Sequence, residues 1–99
     1  MGKMYKYMVQ FSFLPINLEM EEMVTLQRIV VDRQFDQGVL ITYTLAADRS
    51  KLWAVFQADS ESELLSYIES LPMTSYCDYT YNEIMFHDSS QFIPSISLN

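Results

Sequence analysis

The stretch Leu71-Pro72-Met73-Thr74-Ser75-Tyr76-Cys77-Asp78-Tyr79-Thr80-Tyr81-Asn82-Glu83-Ile84-Met85-Phe86-His87-Asp88-Ser89-Ser90 joins a helix end, a turn, a long strand and the chain's only histidine. Leu71-Pro72 stops a helix, because proline pushes the residue before it out of the helical region and donates no backbone hydrogen bond. From Tyr76 to Phe86 the pattern is a strand with apolar or aromatic residues on both pleat faces. Tyr79, Tyr81 and Met85 lie on one side and Thr80, Ile84 and Phe86 on the other. A strand of this kind needs cover on both faces.

Working back towards the start, Asp59-Ser60-Glu61-Ser62-Glu63 opens the helix that Pro72 closes. Ser60 and Glu63 have the capping-box spacing, and Leu64, Leu65, Ile68 and Leu71 supply the buried stripe. Before it come two strands. Residues 39–46 are rich in β-branched residues, and residues 51–58 place Leu52, Ala54 and Phe56 on one face and Trp53 and Val55 on the other. The polar segment Ala47-Asp48-Arg49-Ser50 makes them a hairpin. Earlier still, Met20 to Asp36 carries Met23, Val24, Leu26, Val30 and Val31 as an apolar stripe at helical spacing, with Arg28, Asp32, Arg33 and Asp36 outside. Gly38 stands where a left-handed cap is expected. Asn17 can cap this helix, and Glu19, Glu21 and Glu22 complement the positive end of its dipole. The first strand, residues 4–14, alternates Tyr5, Tyr7, Val9, Phe11 and Phe13 against Lys6, Met8, Gln10 and Ser12 until Pro15 ends it.

The order is βαββαβ, which predicts an α+β, ferredoxin-like split βαβ: a four-stranded antiparallel sheet with both helices on one face. Residues 1–90 form a single domain. Residues 91–99, with Phe92, Ile93, Ile96 and Leu98 around Pro94, read as a C-terminal arm that lies on its own or a neighbouring subunit. Because helices cover one sheet face while several strands are apolar on both, the bare face is expected to meet its copy in a homodimer, a dimeric α/β barrel.

Composition narrows the partners. A 99-residue chain with 49% hydrophobic residues, two glycines and three prolines has enough core for one globular domain. Its net charge of −7 disfavours nucleic acid and anionic membranes, whose binding relies on clustered Lys and Arg. The single Cys77 reads as a buried thiol in a reducing, cytoplasmic setting. The start of the chain shows no export, anchor or transmembrane pattern. One His, one Cys and scattered carboxylates match no zinc or calcium spacing, and no glycine loop cradles phosphate, so neither a metal nor a cofactor is expected.

Several short motifs, in order and at similar spacing over residues 13–90, resemble those of the muconolactone isomerase family. Phe13-Leu14-Pro15 ends the first strand as V-x-L-P does, Gly38 follows the first helix, and Trp53-Ala54-Val55-Phe56 resembles Y-S-V-F. Leu71-Pro72 with Tyr76 and Asp78 resembles L-P-L-F-P-Y-M-D-I, and His87 with Ser89-Ser90 resembles H-P-S-S. The resemblance implies a ferredoxin-like subunit, a homodimer that builds larger rings, and acid–base isomerisation of an unsaturated lactone in aromatic-compound breakdown. Departures are equally specific. Members have W-R-x-L-W-R on the second strand, where this chain has Leu40-Ile41-Thr42-Tyr43-Thr44-Leu45. Ile41 and Leu45 replace two arginines suited to a carboxylate-bearing lactone, Phe86 replaces another, and Gln27 stands where members often have Glu.

Proton transfer between lactone carbons needs a base near the carbon and a group to hold the developing enolate. His87 is the base by type and by its place in the resemblance, and Glu83 shares its strand face. Thr42, Tyr43, Thr44, Trp53, Tyr79 and Tyr81 are the candidate ligand contacts, and they fit a small apolar ligand better than an anion. Two further readings stand beside the isomerase: a cofactor-free oxygenase of the dimeric-barrel group, and a non-catalytic small-ligand-binding or assembly domain.

Overall fold

The computed structural model describes residues 3–15 and 21–85. Strand β1 (Tyr5–Phe13) is followed by helix α1 (Val24–Asp36), strands β2 (Leu40–Leu45) and β3 (Lys51–Ala58), helix α2 (Glu61–Glu69), a 3₁₀ turn (Pro72–Tyr76) and strand β4 (Cys77–Ile84). The sheet order is β2-β3-β1-β4 and every pairing is antiparallel. That is the ferredoxin-like α+β fold, in which each helix carries the chain over an intervening strand. His87 and the C-terminal arm lie outside the described residues.

Register explains the core. On β1 and β3, Tyr7 pairs with Phe56, Val9 with Ala54 and Phe11 with Leu52, so one pleat face gathers these six residues. Val31 of α1 and Leu64 and Ile68 of α2 close over them as one cluster. Each fully buried Val, Leu or Phe contributes about 1.5–3 kcal/mol of transfer free energy. Ser60 caps α2 as expected, accepting from the Glu63 amide at 3.1 Å. The Glu63 carboxylate reaches one residue past the cap and accepts from the Asp59 amide at 2.7 Å instead of closing the box on Ser60. Gly38 ends the α1 turn at φ +73°, where a side chain would be strained.

Helix α1 departs from the expected stripe. Its buried arc runs through Gln27, Val31 and Gln34, spaced i, i+4, i+7, while Val24, Leu26 and Ile29 are exposed. The reason is hydrogen bonding. Gln34 Nε2 donates to the Tyr67 carbonyl at 3.1 Å and to Ser70 Oγ at 2.9 Å, tying α1 to the end of α2, and Gln27 is held as described below. Partners lower the cost of burying these amides, at both polar atoms of Gln27 and in part for Gln34, whose Oε1 is buried without a partner among the described residues.

Strand β2 also departs from simple alternation. Leu40 pairs with Phe56 but Thr42 with Val55, so the ladder slips by one residue at Ile41. The slip puts Leu40, Tyr43 and Leu45 on the helix-side face, Leu45 at its exposed end, and leaves Thr42 and Thr44 on the other face. That other face is apolar mainly at its centre, where Met8 and Trp53 are half-buried and Val55 is fully buried. On β4 the same face is polar and exposed at Asp78, Thr80 and Asn82, because the strand's aromatic residues all point towards the helices.

Candidate functional site

One end of the helix-covered face closes around an amide. Gln27, 8% exposed, donates from Nε2 to the Tyr43 hydroxyl at 2.9 Å and accepts the Met73 backbone N–H at 2.9 Å through Oε1. Pro72 starts the 3₁₀ turn that aims this N–H at the helix, and the turn is pinned by Thr74, whose hydroxyl donates to the Ile68 carbonyl at 2.6 Å. Beneath lies a cavity of about 10 Å³ lined by Phe11, Phe13, Gln27, Leu52, Thr74 and Cys77, room for about one water. Among the described residues no charged side chain lines it. The Cys77 thiol donates to the Met73 carbonyl at 3.3 Å, and burial, with Asp78 adding to it, pushes that thiol up to about 11. Burial also raises the Tyr43 phenol, although the Gln27 hydrogen bond works against the shift.

What this arrangement can still do is donate. Gln27 Oε1 accepts from one protein group, the Met73 N–H, and one Nε2 hydrogen is directed at another, the Tyr43 hydroxyl. Among the described residues the second Nε2 hydrogen has no acceptor, and the Tyr43 oxygen accepts from Gln27 while its own proton has no acceptor either. Gln27 lines the cavity with Tyr43 behind it, and an amide donor against an apolar wall suits a neutral carbonyl oxygen on an uncharged body.

The sequence-predicted residues do not form one cluster. Tyr43 sits at this closed end, and Thr42, Thr44 and Trp53 lie on the opposite sheet face, where Trp53 Nε1 donates to Gln10 Oε1 at 3.0 Å. Tyr79 and Tyr81 face the helices but bond outward, donating to Glu69 at 3.1 Å and to Glu61 at 2.8 Å, so they fasten β4 to α2. Glu83 is exposed and pairs in register with Tyr7. Six residues along an extended strand separate it from Cys77, roughly 20 Å, too far to share a substrate in the cavity. His87 lies outside the described residues. Met73, Thr74 and Cys77 were not singled out as contacts, and neither was Gln27 beyond its departure from Glu. The helical spacing of Gln27 with Val31 and Gln34 is the signal that finds it.

These features define a ferredoxin-like α+β fold with an uncharged recess, bridged by an amide, between its first helix and its sheet. The chain is similar in structure to muconolactone isomerase, with a TM-score of 0.71 at 18% identity over 89% of this chain and 96% of that one. It is similar also to a protein of Nitrosomonas europaea assigned as an antibiotic biosynthesis monooxygenase, with a TM-score of 0.50 at 10% identity over 87% and 94%. A cofactor-independent oxygenase from Streptomyces nogalater superposes at a TM-score of 0.48 and 9% identity over 90% and 98%. No protein-family model and no curated protein sequence matches the chain. Among the described residues no helix is long and apolar enough to cross a membrane.

Proposed function

We propose that this chain is a muconolactone isomerase-like subunit of a homodimeric α/β barrel, working in the cytoplasm on an uncharged ring compound such as a neutral lactone or enone. The observation that carries the reading is the buried Gln27 amide, with the Tyr43 hydroxyl behind it, at an apolar cavity without a charged lining residue. Ile41 and Leu45 add to it, standing where the resembled family has arginines. A ring compound displaces the water-sized content of the cavity and moves Met73, an unbranched side chain that repacks readily. Its carbonyl then takes the free Gln27 and Tyr43 donors. In this reading the chemistry is acid–base isomerisation and His87 is the base.

Three measurements test it. A neutral butenolide should bind at least about tenfold more tightly than the same ring bearing a carboxylate, since each uncompensated charge in an apolar site costs more than about 1.4 kcal/mol; equal binding would sink the proposal. Light scattering should give a dimer at micromolar concentration, as expected for an interface burying more than about 1,200 Å² across the sheet face that carries Met8 and Trp53. With a substrate identified, His87→Ala should lower turnover about 10²–10⁴-fold without loss of folding. Full turnover in that variant would remove His87 and leave the binding-domain reading.

A further inference from the structure

The opposite end of the same sheet face holds a second, differently built site, and the argument for it is independent of the function proposed above. The start of β1, the end of β4 and the first turn of α2 frame an open cleft of about 470 Å³ lined by Tyr5, Tyr7, Tyr81, Glu61 and Glu83. That is a volume typical of small-molecule sites. Antiparallel register brings the side chains together: Glu83 lies directly across from Tyr7, and Tyr81 two residues before it on the same face of β4. The Tyr7 and Tyr81 rings meet edge to face at 6.2 Å, and Tyr81 donates to Glu61 at 2.8 Å, which sets that carboxylate at the rim. Among the described residues no Lys or Arg lines this cleft.

We propose that this cleft binds a small organic ammonium ion, a free amine with a short alkyl or aryl body. Three features point to a cation. Tyrosine faces and carboxylates together attract an ammonium by ring quadrupole and by charge. Tyr7, 5% exposed and lining the cleft, has a hydroxyl to which no described residue is hydrogen-bonded, so its acceptor lone pairs are available to a ligand N–H. In the adjoining recess the chain supplies its own example, for the Lys3 ammonium lies over the Tyr5 ring, 5.6 Å from its centroid. The α2 N-terminus, which would favour an anion, is already answered by the Ser60 and Glu63 caps and by the Glu61 carboxylate.

The test titrates the full chain with n-butylammonium, n-butanol and Nα-acetyl-lysine methylamide at low salt, following backbone amide shifts by NMR. Butylammonium should give saturable shifts centred on Tyr7, Tyr81 and Glu83 with a Kd of about 1 mM or tighter, and butanol should bind at least about tenfold more weakly. Glu83→Gln, an exposed change that keeps the fold, should weaken butylammonium about three- to tenfold. Tyr7→Phe, which keeps the ring, should weaken it about two- to fivefold. The proposal fails if butanol matches butylammonium, if Glu83→Gln leaves its affinity unchanged, or if no saturable shift occurs. Tighter binding by the lysine derivative would overturn the free-amine assignment in favour of a protein lysine.

Discussion

The two ends of the helix-covered sheet face are built from different residues and turn their polar groups in opposite directions. At the Cys77 end, polar groups are turned inward: one amide bridges a helix, a strand and a turn around a water-sized cavity. At the Glu83 end, polar groups are turned outward, with tyrosines and carboxylates around an open cleft. The difference teaches where stability and recognition reside. A buried, partnered amide is costly to remove because its neighbours lose partners they cannot replace with water, whereas an exposed carboxylate is rehydrated at little cost.

The contrast is broken most directly by Gln27→Ala. It orphans the Met73 N–H and the Tyr43 hydroxyl and opens a void, so unfolding free energy should drop by about 2–4 kcal/mol, read from urea denaturation. Glu83→Ala should change it by less than about 0.5 kcal/mol. If the two variants were equally stable, the closed end would not be the structural one.

Next in size is the reactivity of Cys77. Its thiol is pushed up to about 11 by burial and by Asp78, so at pH 8 the native chain should alkylate about 100-fold more slowly than the urea-unfolded chain, in proportion to thiolate. The sign for stability follows. A folded-state value above the unfolded one means the native state holds the proton longer, so stability is complete below about pH 9 and falls between about 9 and 11. Labelling at the unfolded rate would show that the closed end is open in solution.

The strand and helix order, the Ser60 cap and the Gly38 turn followed from local chemistry, because Pro, Gly and cap residues act within a few positions. The face assignments on β2 did not follow, since one slipped residue at Ile41 reverses the alternation and nothing in Leu40-Ile41-Thr42 marks it. The α1 stripe misled for a related reason. Gln27 and Gln34 look like surface residues until Tyr43, Met73, Tyr67 and Ser70 are placed around them, all distant in sequence. The hydrogen bonds of Tyr79 and Tyr81 were not legible either, since an aromatic stripe shows no partner in sequence and theirs are Glu69 and Glu61 on α2.

A smaller effect sharpens the closed end itself. Tyr43→Phe keeps the ring but removes the oxygen that accepts from Gln27 Nε2, and the loss should be about 1 kcal/mol, near fivefold in the unfolding equilibrium. The same variant should bind a neutral lactone more weakly, because one of the two free donors goes with the hydroxyl. Unchanged lactone affinity alongside reduced stability would leave Gln27 as the sole polar handle.

The smallest expected effect concerns the open end and is a matter of direction. The Tyr7 phenol is raised above its ordinary value of 10.0, first by burial and then by the charges of Glu83 and Glu61. Its native state therefore keeps the proton that the unfolded chain releases near pH 10, and stability contributed by this group is intact below that pH and falls as pH rises through the native value. Glu83→Gln removes one of the raising charges without touching the burial, so the Tyr7 titration should move to lower pH while remaining above 10.0, and alkaline stability should improve slightly because less repulsion opposes the phenolate. Ultraviolet difference titration of the variant against the parent, with Tyr7→Phe to assign the signal, measures this. A Tyr7 titration unmoved by Glu83→Gln would mean that the carboxylate is screened from the ring by solvent, and the acidic character assigned to the cleft would then rest on Glu61 alone.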